Sequence, residues 1–138
     1  MNVQMNQIVF LCAASFDSGM KPSDGKIHPE NYFHGLTTGL LVSLLGKYLL
    51  TSNRESGWGR YDLCLEPIDR KHNPNAYILE FKVFDDARGD TTLQDTAYQA
   101  KQQIEEKQYD AQLLAKGFEK SHIIIYGFGF RGKEVVII

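Results

Sequence analysis

The sequence predicts an α/β domain built on a mixed sheet, and three observations carry that prediction. Residues 60–66 and 76–84 alternate apolar and polar positions with the period of two expected of strands. An amphipathic stretch over 91–116 follows them, and two further strand-like runs, 121–126 and 133–138, close the chain. Strands joined by short turns, then a crossover helix and another strand, imply a sheet of mixed direction with helices packed on it.

Each element has its own justification. Phe33, Leu36, Leu40, Leu41, Leu44 and Leu45 recur at steps of three and four, predicting a helix that ends near Gly46. Residues 48–52 look like a short strand, and 53–59, with Asn, Ser and two Gly, like the turn after it. In the next strand Tyr61, Leu63 and Leu65 share one face, while Arg60, Asp62, Cys64 and Glu66 share the other. A loop with two prolines spans 67–74. In the strand 76–84 Tyr77, Leu79, Phe81 and Val83 point one way and Ile78, Glu80, Lys82 and Phe84 the other. Residues 85–90 form a polar turn. Asp90 or Thr91 is the expected N-cap of the helix 91–116, whose stripe is Leu93, Ala97, Ala100, Ile104, Ala111 and Leu114, with Gly117 as its stop. Residues 128–132 are expected to turn between the last two strands. Residues 1–29 form an N-terminal lead without an assigned structure, ahead of a domain over 30–138.

Composition narrows the function classes. At 138 residues, 43% hydrophobic and 23% charged, the chain has the profile of one globular domain. Fifteen Lys+Arg against seventeen Asp+Glu exclude a strongly basic nucleic-acid coat, though not a locally basic site. Cys12 and Cys64, with no CxxC, are too few for a disulfide scaffold or a cysteine-rich zinc site. The histidines at 28, 34, 72 and 122 lack metal-ligand spacing. No apolar run approaches the roughly 18 residues of a membrane helix. The apolar segment 8–14 follows MNVQMNQ, which has no Lys or Arg and makes a poor signal peptide, so the expected compartment is the cytoplasm.

The chemistry-bearing pattern is Asp62 on one strand with Glu80 and Lys82 on the next. Glu80 and Lys82 are two apart and project from one face. If the two strands pair as a hairpin, in-register pairing brings the Asp62 carboxylate to Glu80. Two carboxylates on adjacent strands make a hard oxygen site of the kind Mg²⁺ takes, with water and a substrate phosphate completing its shell. A neighbouring lysine can position the attacking water and hold charge developing at phosphorus. The competing reading is a Glu80–Lys82 ion pair on a solvated face. Against it, apolar residues flank the charged pair on both sides, where unpaired charge is costly.

The arrangement Asp62 … Glu80-Phe81-Lys82 resembles the PD-(D/E)XK nuclease superfamily, and the likeness extends further. SNRESGWGRYDL at 52–63, YFHGL at 32–36, AKQQI at 100–104 with Lys107 and Tyr109, and YGFGF at 126–130 with Gly132 and Lys133 resemble motifs of one bacterial family within it. In that family the nuclease-like domain usually follows an AAA-type ATPase-like domain, which makes such a domain or protein a candidate partner.

The resemblance implies a restriction-endonuclease-like αβββαβ core and metal-dependent phosphodiester hydrolysis, with DNA as the favoured substrate. It makes Asp62 and Glu80 ligands of Mg²⁺ or Mn²⁺, joined by the Phe81 carbonyl, and Lys82 the catalytic lysine. Gln103 would orient Lys82 or the substrate phosphate. Apart from the resemblance, Arg60 shares the face of Asp62 and suits either a phosphate contact or an ion pair with an acidic residue, and Lys107 is a candidate nucleic-acid contact. The chain departs from the usual Gln-x-x-x-Tyr motif: Lys107 stands four after Gln103, and Tyr109 two further, while Gln94 and Tyr98 have the three-residue gap but sit one turn into the helix. Tyr61 stands before Asp62 where the superfamily often has Pro. The alternative function is a catalytically silent nuclease-like module that binds nucleic acid or a protein partner.

Glu30, Glu55 and His34 are secondary candidates around the same site. Glu30 suits a helix first turn as well as a metal, Glu55 suits a pair with Arg54 or Arg60, and His34 lies in the matched helix motif. The charged runs 69–72 and 85–88 read as solvated turns, the first able to brush a nucleic-acid backbone.

Overall fold

A computed structural model of the chain describes residues 39, 41, 44–57, 59–132 and 134–138. The N-terminal lead, most of the helix expected before residue 46, and Cys12, His28, Glu30 and His34 lie outside the described residues. Five strands form one sheet in the order β1-β2-β3-β4-β5. They are β1 (Tyr48–Ser56), β2 (Gly59–Pro67), β3 (Ala76–Val83), β4 (Ile123–Arg131) and β5 (Glu134–Ile137). Two helices, α1 (Leu93–Glu106) and α2 (Ala111–Ala115), form the crossover between β3 and β4. That crossover makes β3 and β4 parallel, while the other neighbours are antiparallel. No helix among the described residues is long and apolar enough to cross a membrane.

Alternation sorts the strand residues onto two faces as the sequence implies. Leu63, Leu65, Leu79, Phe81, Phe128, Phe130, Val135 and Ile137 form one core cluster. On the other face Cys64, Ala76 and Ile78 pack with Ile104, Tyr109, Leu113 and Phe118 from the crossover. Each fully buried Leu, Ile or Phe contributes roughly 1.5–3 kcal/mol relative to exposure, so both faces stabilise the sheet. Burial of Cys64, with Glu66 adding to it and Lys116 opposing, pushes its thiol up to about 12.

The structure revises four local expectations. First, β1 continues through Ser56, so the turn shrinks to a tip at Gly57, whose φ of 58° suits glycine. Second, the N-cap of α1 is Thr92, which forms a reciprocal capping box with Asp95.

Third, the helix expected over 91–116 breaks at residues 107–110, where Gln108 has φ 52°. The break resets the helical phase, so Leu113 is buried and Leu114 is 42% exposed. Fourth, Phe128, Gly129 and Phe130 belong to β4, and the turn is confined to the end of that strand, with Gly132 at φ 59°. Gly127 and Gly129 are therefore not turn glycines. They face α1, where a Cβ on Gly127 would stand 2.1 Å from the Ala97 carbonyl oxygen and one on Gly129 2.8 Å from the Ala97 nitrogen. The helix seats directly on this bare strip of strand.

Candidate active site

The site forms where β2 parts from β3. The two strands pair in the register Leu63–Leu79, Cys64–Ile78 and Leu65–Tyr77. One step further toward the β1–β2 tip, side chains carry the connection. Phe81 N–H donates to Asp62 Oδ2 at 2.8 Å, and Asp62 N–H donates to Glu80 Oε2 at 3.3 Å. Each carboxylate thus reaches across to the other strand's backbone. By alternation Asp62 shares the face of Cys64, and Glu80 that of Ile78, so both lie on the α1 side.

Glu80 is only 4% exposed. A buried carboxylate is tolerated when its lone pairs are used, and α1 supplies the partner. Gln103 Nε2 donates to Glu80 Oε1. The same amide nitrogen donates to the Tyr109 hydroxyl at 3.1 Å, and its carbonyl Oε1 accepts from Lys82 Nζ at 2.7 Å. A primary amide has two N–H donors and one carbonyl acceptor, and this arrangement uses both donors and the acceptor in one orientation. Turning the amide over would set an NH₂ against the Lys82 ammonium. Gln103 therefore stands between the carboxylate and the ammonium and fixes both.

Two features hold α1 in place for that contact. In the parallel register Glu80 pairs with Gly127 and Lys82 with Gly129. The missing side chains beside these two charges let α1 approach closely enough for Gln103 to reach them. At the helix start, buried Asp90 accepts from Asp85 N–H at 3.0 Å, Thr96 Oγ1 at 3.0 Å and Gln99 Nε2 at 2.7 Å. Burial alone pushes the Asp90 carboxyl up, but these hydrogen bonds and the Arg88 charge outweigh it and hold the group below its ordinary range. The segment read as a solvated turn is thus a clasp between the end of β3 and the start of α1.

The structure brings Asp62, Glu80, Lys82 and Gln103 together. Lys107 lies one turn beyond Gln103, exposed, at the corner between α1 and α2. Arg60 is in β2, and its side chain and that of Glu55 lie outside the described ones. The run 69–72 belongs to the opposite end of the β2–β3 hairpin. The five residue steps from Asp62 to Pro67 span about 17 Å, and Arg70 there is committed to Lys116 O at 2.9 Å and to the Phe118 ring at 3.9 Å. The sequence reading gave Gly127 and Gly129 to a tight hairpin and Asp90 to the helix N-cap, and so missed their part in seating α1. The available signal was a Gly-x-Gly inside an apolar run following a helix, which marks close backbone approach as readily as a turn.

The donor set suits a hard cation. Asp62 and Glu80 offer carboxylate oxygens from adjacent strands. Among the described residues no three His, Cys, Asp or Glu side chains converge, so the set lacks the cage of a structural zinc. Such a set would hold a hard divalent cation by partial protein ligation, with water completing its shell.

No curated protein and no solved structure gives a match to this chain. A family model described as PD-(D/E)XK nuclease superfamily matches residues 28–138, which includes every strand and helix described above. Nucleases of this superfamily usually use divalent metal ions, and membership points to nuclease activity and nucleic-acid binding. With the mixed five-stranded sheet and its packed crossover helix, the match shows that the chain belongs to the PD-(D/E)XK nuclease superfamily.

Proposed function

We propose that the protein hydrolyses phosphodiester bonds in DNA, in the cytoplasm of a bacterial cell, with Asp62, Glu80 and the Phe81 carbonyl holding Mg²⁺ or Mn²⁺. The observation that carries this reading is the single hydrogen-bonded constellation Asp62–Glu80–Gln103–Lys82. A purely structural strand would not set a buried carboxylate and a lysine against one glutamine at the mouth of a splayed strand pair. When bound, the metal supplies a water of lowered pKa and offsets negative charge at the phosphate.

The chain's own groups do the rest. Asp62 and Glu80 would hold the cation beside β3. Lys82, aimed by Gln103, faces the reacting phosphate and stabilises the negative charge that builds there. A water oxygen bonds to phosphorus and gives up a proton to solvent as the ester P–O bond breaks, and the departing oxygen takes up a proton from solvent. Arg60 and exposed Lys107 neutralise flanking phosphates and set the register of the strand without reading sequence. An AAA-type ATPase-like domain or protein is the proposed partner that delivers the substrate.

The test is cleavage of DNA, with RNA as the comparison arm, in Mg²⁺ or Mn²⁺. Glu80→Ala and Lys82→Ala are each expected to lower the rate by about 10²–10⁴-fold. Cleavage that survives both substitutions refutes the site. DNA binding without any cleavage by the unaltered protein establishes the silent module instead.

A further inference from the structure

The tip of the β1–β2 hairpin meets the α1–α2 corner more tightly than side chains allow. A Cβ on Gly57 would stand 2.2 Å from the Gln108 carbonyl oxygen and 2.3 Å from that of Lys107. Two residues on, a Cβ on Gly59 would stand 3.1 Å from both Cε1 and the hydroxyl oxygen of Tyr109. Tyr109 is 3% exposed, and its hydroxyl accepts from Gln103 Nε2 at 3.1 Å. The corner itself is held in an uncommon shape, with Gln108 at φ 52°. One continuous line of contact therefore runs from the hairpin tip through Tyr109 and Gln103 to Lys82.

We propose that Tyr109 is a positioning residue: seated by Gly57 and Gly59, its hydroxyl takes the second amide hydrogen of Gln103 and so keeps the amide carbonyl turned to Lys82. Donor and acceptor counts decide the orientation of the amide. Glu80 accepts one hydrogen of the amide, and nothing about that bond alone stops the carbonyl from swinging away from Lys82. A second acceptor on the same nitrogen removes the remaining freedom about the last side-chain torsion. The tip of β1–β2 lies beside exposed Lys107, so a nucleic-acid strand engaging that corner would press on the same line of contact. The proposal rests on the nuclease reading only where activity is the readout.

Tyr109→Phe keeps the ring and removes the hydroxyl. The first readout is the ¹H–¹⁵N signal pair of the Gln103 side-chain amide, which needs neither metal nor substrate. In Tyr109→Phe one of its two protons is expected to shift and to exchange with solvent about five- to tenfold faster, the factor one lost hydrogen bond represents. Gly59→Ala, which crowds the hydroxyl oxygen, is expected to move the same signal, and to move it less when Tyr109→Phe is already present.

The second readout is kinetic. Tyr109→Phe is expected to lower kcat about five- to tenfold with KM held within about twofold, and to change nothing further in a Gln103→Ala background. An unchanged Gln103 amide in Tyr109→Phe overturns the proposal, as does a full kcat loss that persists without Gln103. If Tyr109 served packing alone, Tyr109→Phe, which keeps the ring, would leave the amide signals in place. If the unaltered protein cuts no nucleic acid, the nuclease reading fails while the amide spectrum still decides this one.

Discussion

Gly127→Ala is the sharpest probe of how the fold builds the site. The added methyl would stand 2.1 Å from Ala97 O, 2.5 Å from Lys101 N and 2.9 Å from Lys101 Cβ. The two nearest atoms are helix backbone and have no rotamer to escape into. Ordinary contact begins at 3.4 Å, so α1 must retreat by about 1.3 Å, since repulsion inside contact distance rises too steeply to be absorbed. Gln103 rides on α1. A retreat of that size takes its carbonyl from 2.7 Å to about 4 Å from Lys82 Nζ, beyond hydrogen-bond range. Overpacking of this kind costs about 1–3 kcal/mol. Urea unfolding followed by circular dichroism should show that loss, with the m-value unchanged, and the Gln103 amide signals should collapse toward those of a solvated side chain. Gly129→Ala pushes on the same helix at 2.8 Å from Ala97 N and Leu93 O, so the double substitution should cost less than the sum of the two. A Gly127→Ala protein within about 0.5 kcal/mol of the original, its Gln103 amide unmoved, would refute the claim that this glycine strip seats α1.

Three further residues, Asp90, Cys64 and Gln108, yield predictions from the same geometry. Asp90→Ala removes the acceptor of Thr96, Gln99 and the Asp85 N–H; it should cost about 2–4 kcal/mol in urea unfolding, since buried donors lose their partner. Because the folded-state carboxyl of Asp90 lies below its unfolded value, its contribution is complete above about pH 4 and is lost as the pH falls through the folded value; Asp90→Asn should flatten the pH dependence of stability in that acid range. Cys64, buried with its thiol pushed up to about 12, should resist alkylation at neutral pH in a Cys12→Ser background and react only on unfolding. Gln108→Gly relieves a left-handed backbone position at φ 52° and should raise stability by up to about 1 kcal/mol, whereas Gln108→Val should lower it.

Elements whose cause is local were legible in the sequence, and those whose cause is a distant contact were not. β2 and β3 announced themselves because Leu63, Leu65, Leu79 and Phe81 alternate with residues of the other face. Antiparallel pairing then made Asp62 and Glu80 neighbours, as the hairpin condition required. The break at residues 107–110 was hidden because Lys107, Gln108 and Tyr109 do not by type forbid a helix. The backbone turns there against the β1–β2 tip, fifty residues earlier in the chain. Gly127 and Gly129 were misread for a related reason. Glycine permits a turn or a close approach, and only the arrival of α1 decides which. Gln103 was found through resemblance, since no local pattern says which face of α1 meets Lys82.

The residue between the two charges explains why the site holds its shape. Phe81 points away from Glu80 and Lys82 into the opposite face. There its ring meets Phe128 edge-on at 5.1 Å and Phe130 at 6.1 Å, and Phe128 and Phe130 stack on one another at 6.1 Å. Such ring pairs add about 0.5–1.5 kcal/mol each beyond the area they bury. The Phe81 N–H meanwhile is held by Asp62 Oδ2 at 2.8 Å. A strand pinned by its side chain on one face and by its amide at the edge cannot twist about its axis without breaking both. Glu80 and Lys82, one residue to either side, inherit that constraint. The apolar run that makes a charged pair look misplaced in the sequence is therefore what gives the pair a fixed direction. The carboxylate on one strand, the glutamine on the helix and the aromatic ring beneath the sheet act on the same few atoms of β3.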